Sequence, residues 1–244
     1  MNRRIFLRNT GLTGAIALTA PSLFSSSVLG RQAGAARAVL VVLSGGVRRQ
    51  DFAEVWNRRG SQHPVQSFRL HKLFSLQDEM SHASGHRALY ENLGITSNAH
   101  CYWPDSPFAG KIRSGLRHSA TEKNFSSAVP DITSGNSLAV VHLEGFDCAH
   151  YDLPQYYRLL ENSVEYCGNL WKQMEKEGNG NFLAVTTDMG RNSFCNEMGG
   201  TDHHDESARD IFCLTAGRYT GTFFSGAPLT QEFTGKVIRG HLSA

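Results

Sequence analysis

Residues 181–205 read NFLAVTTDMGRNSFCNEMGGTDHHD. The stretch opens as a short apolar run bounded by turn residues, the pattern of a buried strand. At Thr187-Asp188-Met189-Gly190 it breaks into a polar, glycine-rich loop that ends in Asp202-His203-His204-Asp205. A carboxylate at the C-terminal end of a strand, followed by carboxylates and imidazoles on the next loop, suits a divalent metal. The strand is rigid and the loop reaches the crevice. The plainer alternative is an ordinary strand with a solvated loop, and the flanking sequence discriminates between the two.

Upstream, residues 138–143 (LAVVHL) form a second apolar run, which continues directly into Glu144-Gly145-Phe146-Asp147-Cys148-Ala149-His150. Asp147 and His150 stand three apart just after a predicted strand, a spacing that lets both reach one ion from a loop or helical turn. Pro154 then introduces a helix predicted over 155–176. Tyr156, Leu159, Leu160, Val164, Cys167, Leu170, Trp171 and Met174 follow the 3.6-residue period on one face. Gly178-Asn179-Gly180 closes it. Downstream, residues 211–215 (IFCLT) read as another short strand, and the glycine-rich tail from Tyr219 reads as loops or a hairpin.

The first strand is predicted at residues 38–43 (AVLVVL), a continuous β-branched run of the kind buried on both faces. It ends in Ser44-Gly45-Gly46, with Asp51 five residues past the second glycine. Residues 57–77 are polar and basic, with a short amphipathic patch at Leu70, Leu73, Phe74 and Leu76. A helix is predicted over 85–93, preceded by Ser81-His82-Ala83-Ser84. Ser84 at its start serves either as an N-cap, worth roughly 1 kcal/mol, or as a nucleophile among free backbone N–H groups. Residues 98–136 carry aromatics and prolines without period and read as a long loop or irregular insertion.

The 244 residues suffice for one sizeable α/β domain, and 40% hydrophobic with 19% charged residues describes a globular chain. A net charge of +2 without a dense basic run leaves no electrostatic footprint for nucleic acid. Five widely spaced cysteines contain no CxxC pair, so zinc-ribbon and thioredoxin-like motifs are excluded. Cys148 and Cys195 fall within the candidate clusters, where soft sulfur would favour zinc, although buried inert cysteine is commoner.

The N-terminus has the organisation of an export signal. Arg3-Arg4 precede Phe6-Leu7, then an apolar segment rich in Gly, Ala and Thr, then small residues. The apolar segment falls short of the about 20 residues that a membrane span needs. The arginine pair resembles the twin-arginine export signal. Residues 1–33 are thus expected to be a signal peptide addressed to the twin-arginine machinery, and 34–244 a single exported or periplasmic domain.

Taken in order, these motifs resemble the alkaline phosphatase superfamily, and within it a twin-arginine-exported, sulfatase-related branch. VVLSGGVRRQD resembles that branch's Gly-Gly loop, GFDCAH its W-D-x-H motif with one residue more between Asp147 and His150, TTDMGRN its T-S-E-F-G-R-T motif and GGTDHH its G-R-D-H motif. The likeness covers most of residues 38–217, with the segment 52–137 shortened. It implies a sandwich with a central mainly parallel sheet flanked by helices. It implies hydrolysis of a small-molecule phosphate or sulfate ester with a divalent metal, zinc first, with calcium, magnesium or manganese as alternatives. Carried over by position, Asp147, His150 and His203 would hold one ion, and Asp188, with Asp51, a second. Ser84 and Arg191 are the catalytic candidates. The chain departs from the superfamily pattern at Ser44, where an aspartate is usual, and at Met189, where a histidine is usual. A relative that keeps the fold but not the chemistry, serving as an envelope binding or structural protein, is the alternative.

Overall fold

The computed structural model describes residues 37–60, 68–76, 85, 89, 93, 99–103, 121–124, 138–177, 180–217 and 229–242. Seven strands form one sheet in the order β2-β7-β6-β1-β5-β3-β4. They are β1 (Arg37–Leu43), β2 (Arg69–Phe74), β3 (Ala99–Trp103), β4 (Thr121–Asn124), β5 (Leu138–Leu143), β6 (Asn181–Thr187) and β7 (Asp210–Gly217). β1 lies between β5 and β6 and is parallel to both, while β7 runs antiparallel to its neighbours β6 and β2.

The apolar runs at 38–43, 138–143 and 181–187 are buried along both faces of the sheet, as their unbroken hydrophobicity requires. Val39, Val41 and Leu43 point into one core with Val141 and Val185. Ala38, Leu40 and Val42 point into the other with Val140 and Ala184. Among the described residues, three long helices supply the covering. α1 (Arg49–Gly60) contributes Phe52 and Val55 to the first core, and α2 (Leu153–Glu177) contributes the stripe Tyr156, Leu160, Val164, Cys167, Leu170, Trp171 and Met174. α3 (Glu232–Leu242) covers the opposite face with Phe233, Val237 and Ile238, beside Leu89 and Leu93.

The architecture is therefore α/β, a mainly parallel sheet between helical layers. Three segments differ from the sequence-based expectation. The tail holds α3 where loops or a hairpin are predicted; its Gly235 and Gly240 mask a buried stripe that packing rewards. The amphipathic patch at 70–76 includes the strand β2, which exposes Leu70 and buries Leu73. The region 98–136, expected to be irregular, contains β3 and β4.

Candidate active site

Because β1, β5 and β6 are parallel neighbours, their C-terminal ends share one edge of the sheet. Among the described residues, three loops leave that edge: 44–47 after β1, 144–151 after β5 and 188–205 after β6. This is where crevices form in such sheets.

Asp188 is fully buried, and its carboxylate faces backbone. Gly45 N donates to Oδ2 at 3.2 Å, Gly46 N to Oδ1 at 3.1 Å and Met189 N to Oδ1 at 2.9 Å; Thr187 Oγ1 adds a bond at 3.3 Å. The same glycine loop is gripped from its other side by Arg191. Its Nε donates to Gly46 O at 2.8 Å, and its Nη2 to Gly45 O and, at 3.0 Å, to Phe146 O. Nη1 donates to Thr201 O at 2.6 Å. Asp188 thus takes the N–H groups of Gly45-Gly46 and Arg191 takes their carbonyls, so all three loops are tied together through one guanidinium. The Arg191 side chain is 0% exposed and stands 3.7 Å from Asp147 Oδ1. Burial pulls its pKa down, and the Asp147 and Asp188 charges oppose that pull; guanidinium stays protonated in either case.

Glycine is required in this loop. Gly45 has φ 116° and Gly46 φ 84°, and a Cβ on Gly45 would stand 2.5 Å from Asp147 N. Gly85 approaches as closely, leaving no room for a Cβ against the Asp188 carbonyl. Gln231 Nε2 bridges the two, donating to Asp188 O at 2.8 Å and to Gly85 O at 3.3 Å. Ser84 lies outside the described residues, one position before this contact.

His150 and His203 come together, with ring centroids 5.3 Å apart, and His203 packs on His204 at 4.6 Å. His150 Nδ1 lies 2.8 Å from Asp202 Oδ1, which also accepts from Asn196 Nδ2 at 3.0 Å. Asn196 holds the His150 carbonyl as well, at 3.0 Å. These bonds, from Asn196 first and then His150, hold the Asp202 carboxyl below its ordinary pKa. The sequence places Asp202 in the carboxylate–imidazole cluster without giving it a role of its own, and Asn196 carries no signal there. Position 202 sits directly before His203 in GGTDHH, but nothing in a sequence shows that the carboxylate turns toward His150.

Asp147 is 47% exposed on the loop after β5, at the same edge. Asp51 is not brought to it. It lies in the first turn of α1, where Oδ2 accepts from Arg48 Nε at 2.7 Å and from Tyr156 OH at 3.0 Å, and Oδ1 from Tyr157 OH at 3.3 Å. Burial, and then the Asp51 charge, push the Tyr156 phenol well above its usual pKa, so it remains a proton donor. Cys148 is buried, with its thiol pushed up to about 11 by desolvation, and is protonated at neutral pH. Among the described residues, no three His, Cys, Asp or Glu side chains are grouped to hold a metal ion. Among the same residues no helix is long and apolar enough to cross a membrane.

The chain matches no model of a known protein family and no curated protein sequence. Solved structures do resemble it. Alkaline phosphatase from the Antarctic bacterium TAB5 aligns with a TM-score of 0.52 and 9% identity, over 86% of this chain and 99% of that one. A variant of that enzyme with Mg bound in its M3 site gives 0.53 and 10%, over 86% and 98%. The periplasmic domain of phosphoethanolamine transferase EptC from Campylobacter jejuni gives 0.49 and 11%, over 75% and 79%. At these identities the likeness to the TAB5 enzyme is one of fold, and the fold is alkaline phosphatase-like.

Proposed function

We propose that the protein is an exported, metal-dependent hydrolase of phosphate or sulfate esters of the twin-arginine, sulfatase-related kind, with one divalent ion at the strand ends. The observation that carries this reading is the His150–Asp202 pair. An ionised carboxylate only accepts, so Nδ1 carries the ring proton and Nε2 is left with its lone pair. Metal-binding imidazoles are arranged in this way. His203 lies beside it on the loop after β6, and the half-exposed Asp147 emerges from His150's own loop, three residues before it. Two imidazoles and a carboxylate suit zinc; calcium, magnesium and manganese favour oxygen-richer sets. As they stand the three do not form a closed cage, so binding would draw Asp147 and His203 toward His150.

A bound ion would supply positive charge to the ester oxygens. The protein would supply the rest. Asp202 and Asn196 orient His150, and Ser84, which lies outside the described residues, is the proposed hydroxyl nucleophile. Metal analysis of the purified protein, with turnover of aryl phosphates and sulfates, tests the reading. Stoichiometric metal lost in His150→Ala or His203→Ala is the expected result. Absence of both metal and turnover would sink it.

A second reading, a relative that keeps the fold and binds without hydrolysing, is favoured by the enclosure of Asp188 in four donor groups. It expects a folded protein whose melting temperature ignores chelator.

A further inference from the structure

The residues that the family resemblance would give to a second metal ion do not suit one. Asp51, on α1, is engaged by Arg48 just before that helix and by Tyr156 and Tyr157 on α2. Asp188 is fully buried, with N–H groups of Gly45, Gly46 and Met189 and the Thr187 hydroxyl on its oxygens. To ligate an ion it would have to release the glycine loop, whose N–H groups would then lie buried without acceptors. Ser44, at the end of β1, has a neutral hydroxyl that lies 3.2 Å from buried His142 Nδ1. The charge requirement of this half of the crevice is already met, because the Arg191 guanidinium is buried among the carbonyls of Gly45, Gly46, Phe146 and Thr201. It lies near enough to Asp147 and Asp188 for both charges to bear on it. A dication beside it would meet like charge at low dielectric, where repulsion is strong.

We infer that Arg191 is the resident cation of the Asp188 half of the crevice, and that Asp188 is a loop-locking carboxylate closed to metal. The protein then takes up at most one ion. This rests on the proposed reading only in placing that ion at His150 and His203.

The test is a titration of the chelator-stripped full chain with zinc alone, read as equivalents bound, on the wild type and on Asp188→Asn. Up to one equivalent is expected in the wild type. The same count and a dissociation constant within about twofold are expected in Asp188→Asn, whose melting temperature falls. A second equivalent in the wild type, or loss of zinc in Asp188→Asn, overturns the inference. The wild-type count decides the matter even if the variant fails to fold. One equivalent lost in His150→Ala agrees with both proposals. Zero equivalents agrees with a closed Asp188 and removes the one-ion reading, so the two failures are distinguishable.

Discussion

Asp202 Oδ1 accepts from Asn196 and lies 2.8 Å from His150 Nδ1 on a loop that is partly open to water. Replacing it with asparagine keeps the shape but removes the charge that fixes the ring proton on Nδ1. Partners of this kind typically contribute 10–100-fold to metal affinity or activity, so a loss of about that size is expected in Asp202→Asn. Unchanged zinc affinity and turnover would deny Asp202 its role. The pair also has a pH signature. The folded Asp202 pKa is depressed, so its contribution to stability is full above the unfolded carboxylate value and is lost as pH falls through the folded one. Asn196→Ala removes the largest cause of that depression. Its deficit in melting temperature relative to wild type, present at pH 6, should narrow as the pH drops through the acid range. A deficit independent of pH would count against the coupling. At Gly45, alanine meets both a positive φ and the Asp147 backbone, whereas at Gly199 (φ 76°) a Cβ meets nothing within 4 Å. Gly199→Ala should cost roughly 1–3 kcal/mol for backbone strain alone. Gly45→Ala should cost clearly more, as read by urea denaturation.

At the scale of elements, α1 is joined to α2 by a buried polar knot as well as by apolar contact. Asp51, Arg48, Tyr156 and Tyr157 satisfy one another between the two helices. Tyr156→Phe leaves a buried carboxylate oxygen with one donor fewer and should cost about 1–3 kcal/mol. Tyr157→Phe, at a part-buried site with a 3.3 Å bond, should cost less; equal losses would show that the knot is not organised around Tyr156. The sequence disclosed the elements that bury themselves on both faces or along a full stripe: β1, β5, β6, β7 and α2. It concealed α1, where Phe52, Val55 and Trp56 are the only large apolar residues among arginines and acids. β2 was hidden for a similar reason, since an edge strand with one buried side chain shows no alternation. The candidate site was legible to the same degree. Asp147, His150, Asp188 and His203 could be placed at strand ends because the strands could be. The direction each carboxylate faces depends on contacts with residues far away in sequence, as between Asp188 and Gly45.

For the whole molecule, the parallel arrangement of β5, β1 and β6 gathers three loops at one edge, and the apolar layers on both sides make that edge rigid. The Gly45-Gly46 loop is fixed from within by Asp188 and Arg191, whereas the His150–His203 part is held by bonds between the loops after β5 and β6, His150 Nδ1 with Asp202, Asn196 Nδ2 to His150 O and Thr201 N to Ala149 O. Metal removal should therefore be felt as lost binding free energy, with the sheet remaining folded. An ion that binds only the native state stabilises it by about 2.7 kcal/mol at a hundredfold excess over its dissociation constant. For a domain of this size each kcal/mol moves Tm by about 2–4 °C, so saturating zinc should raise Tm by roughly 5–11 °C over the chelator-treated protein. His150→Ala should abolish that rise while leaving the melting transition cooperative, and Asp188→Asn should lower Tm with and without zinc by the same amount. If chelator leaves the wild-type Tm unmoved, the sheet edge holds no ion, and the binding-protein reading takes the place of the hydrolase.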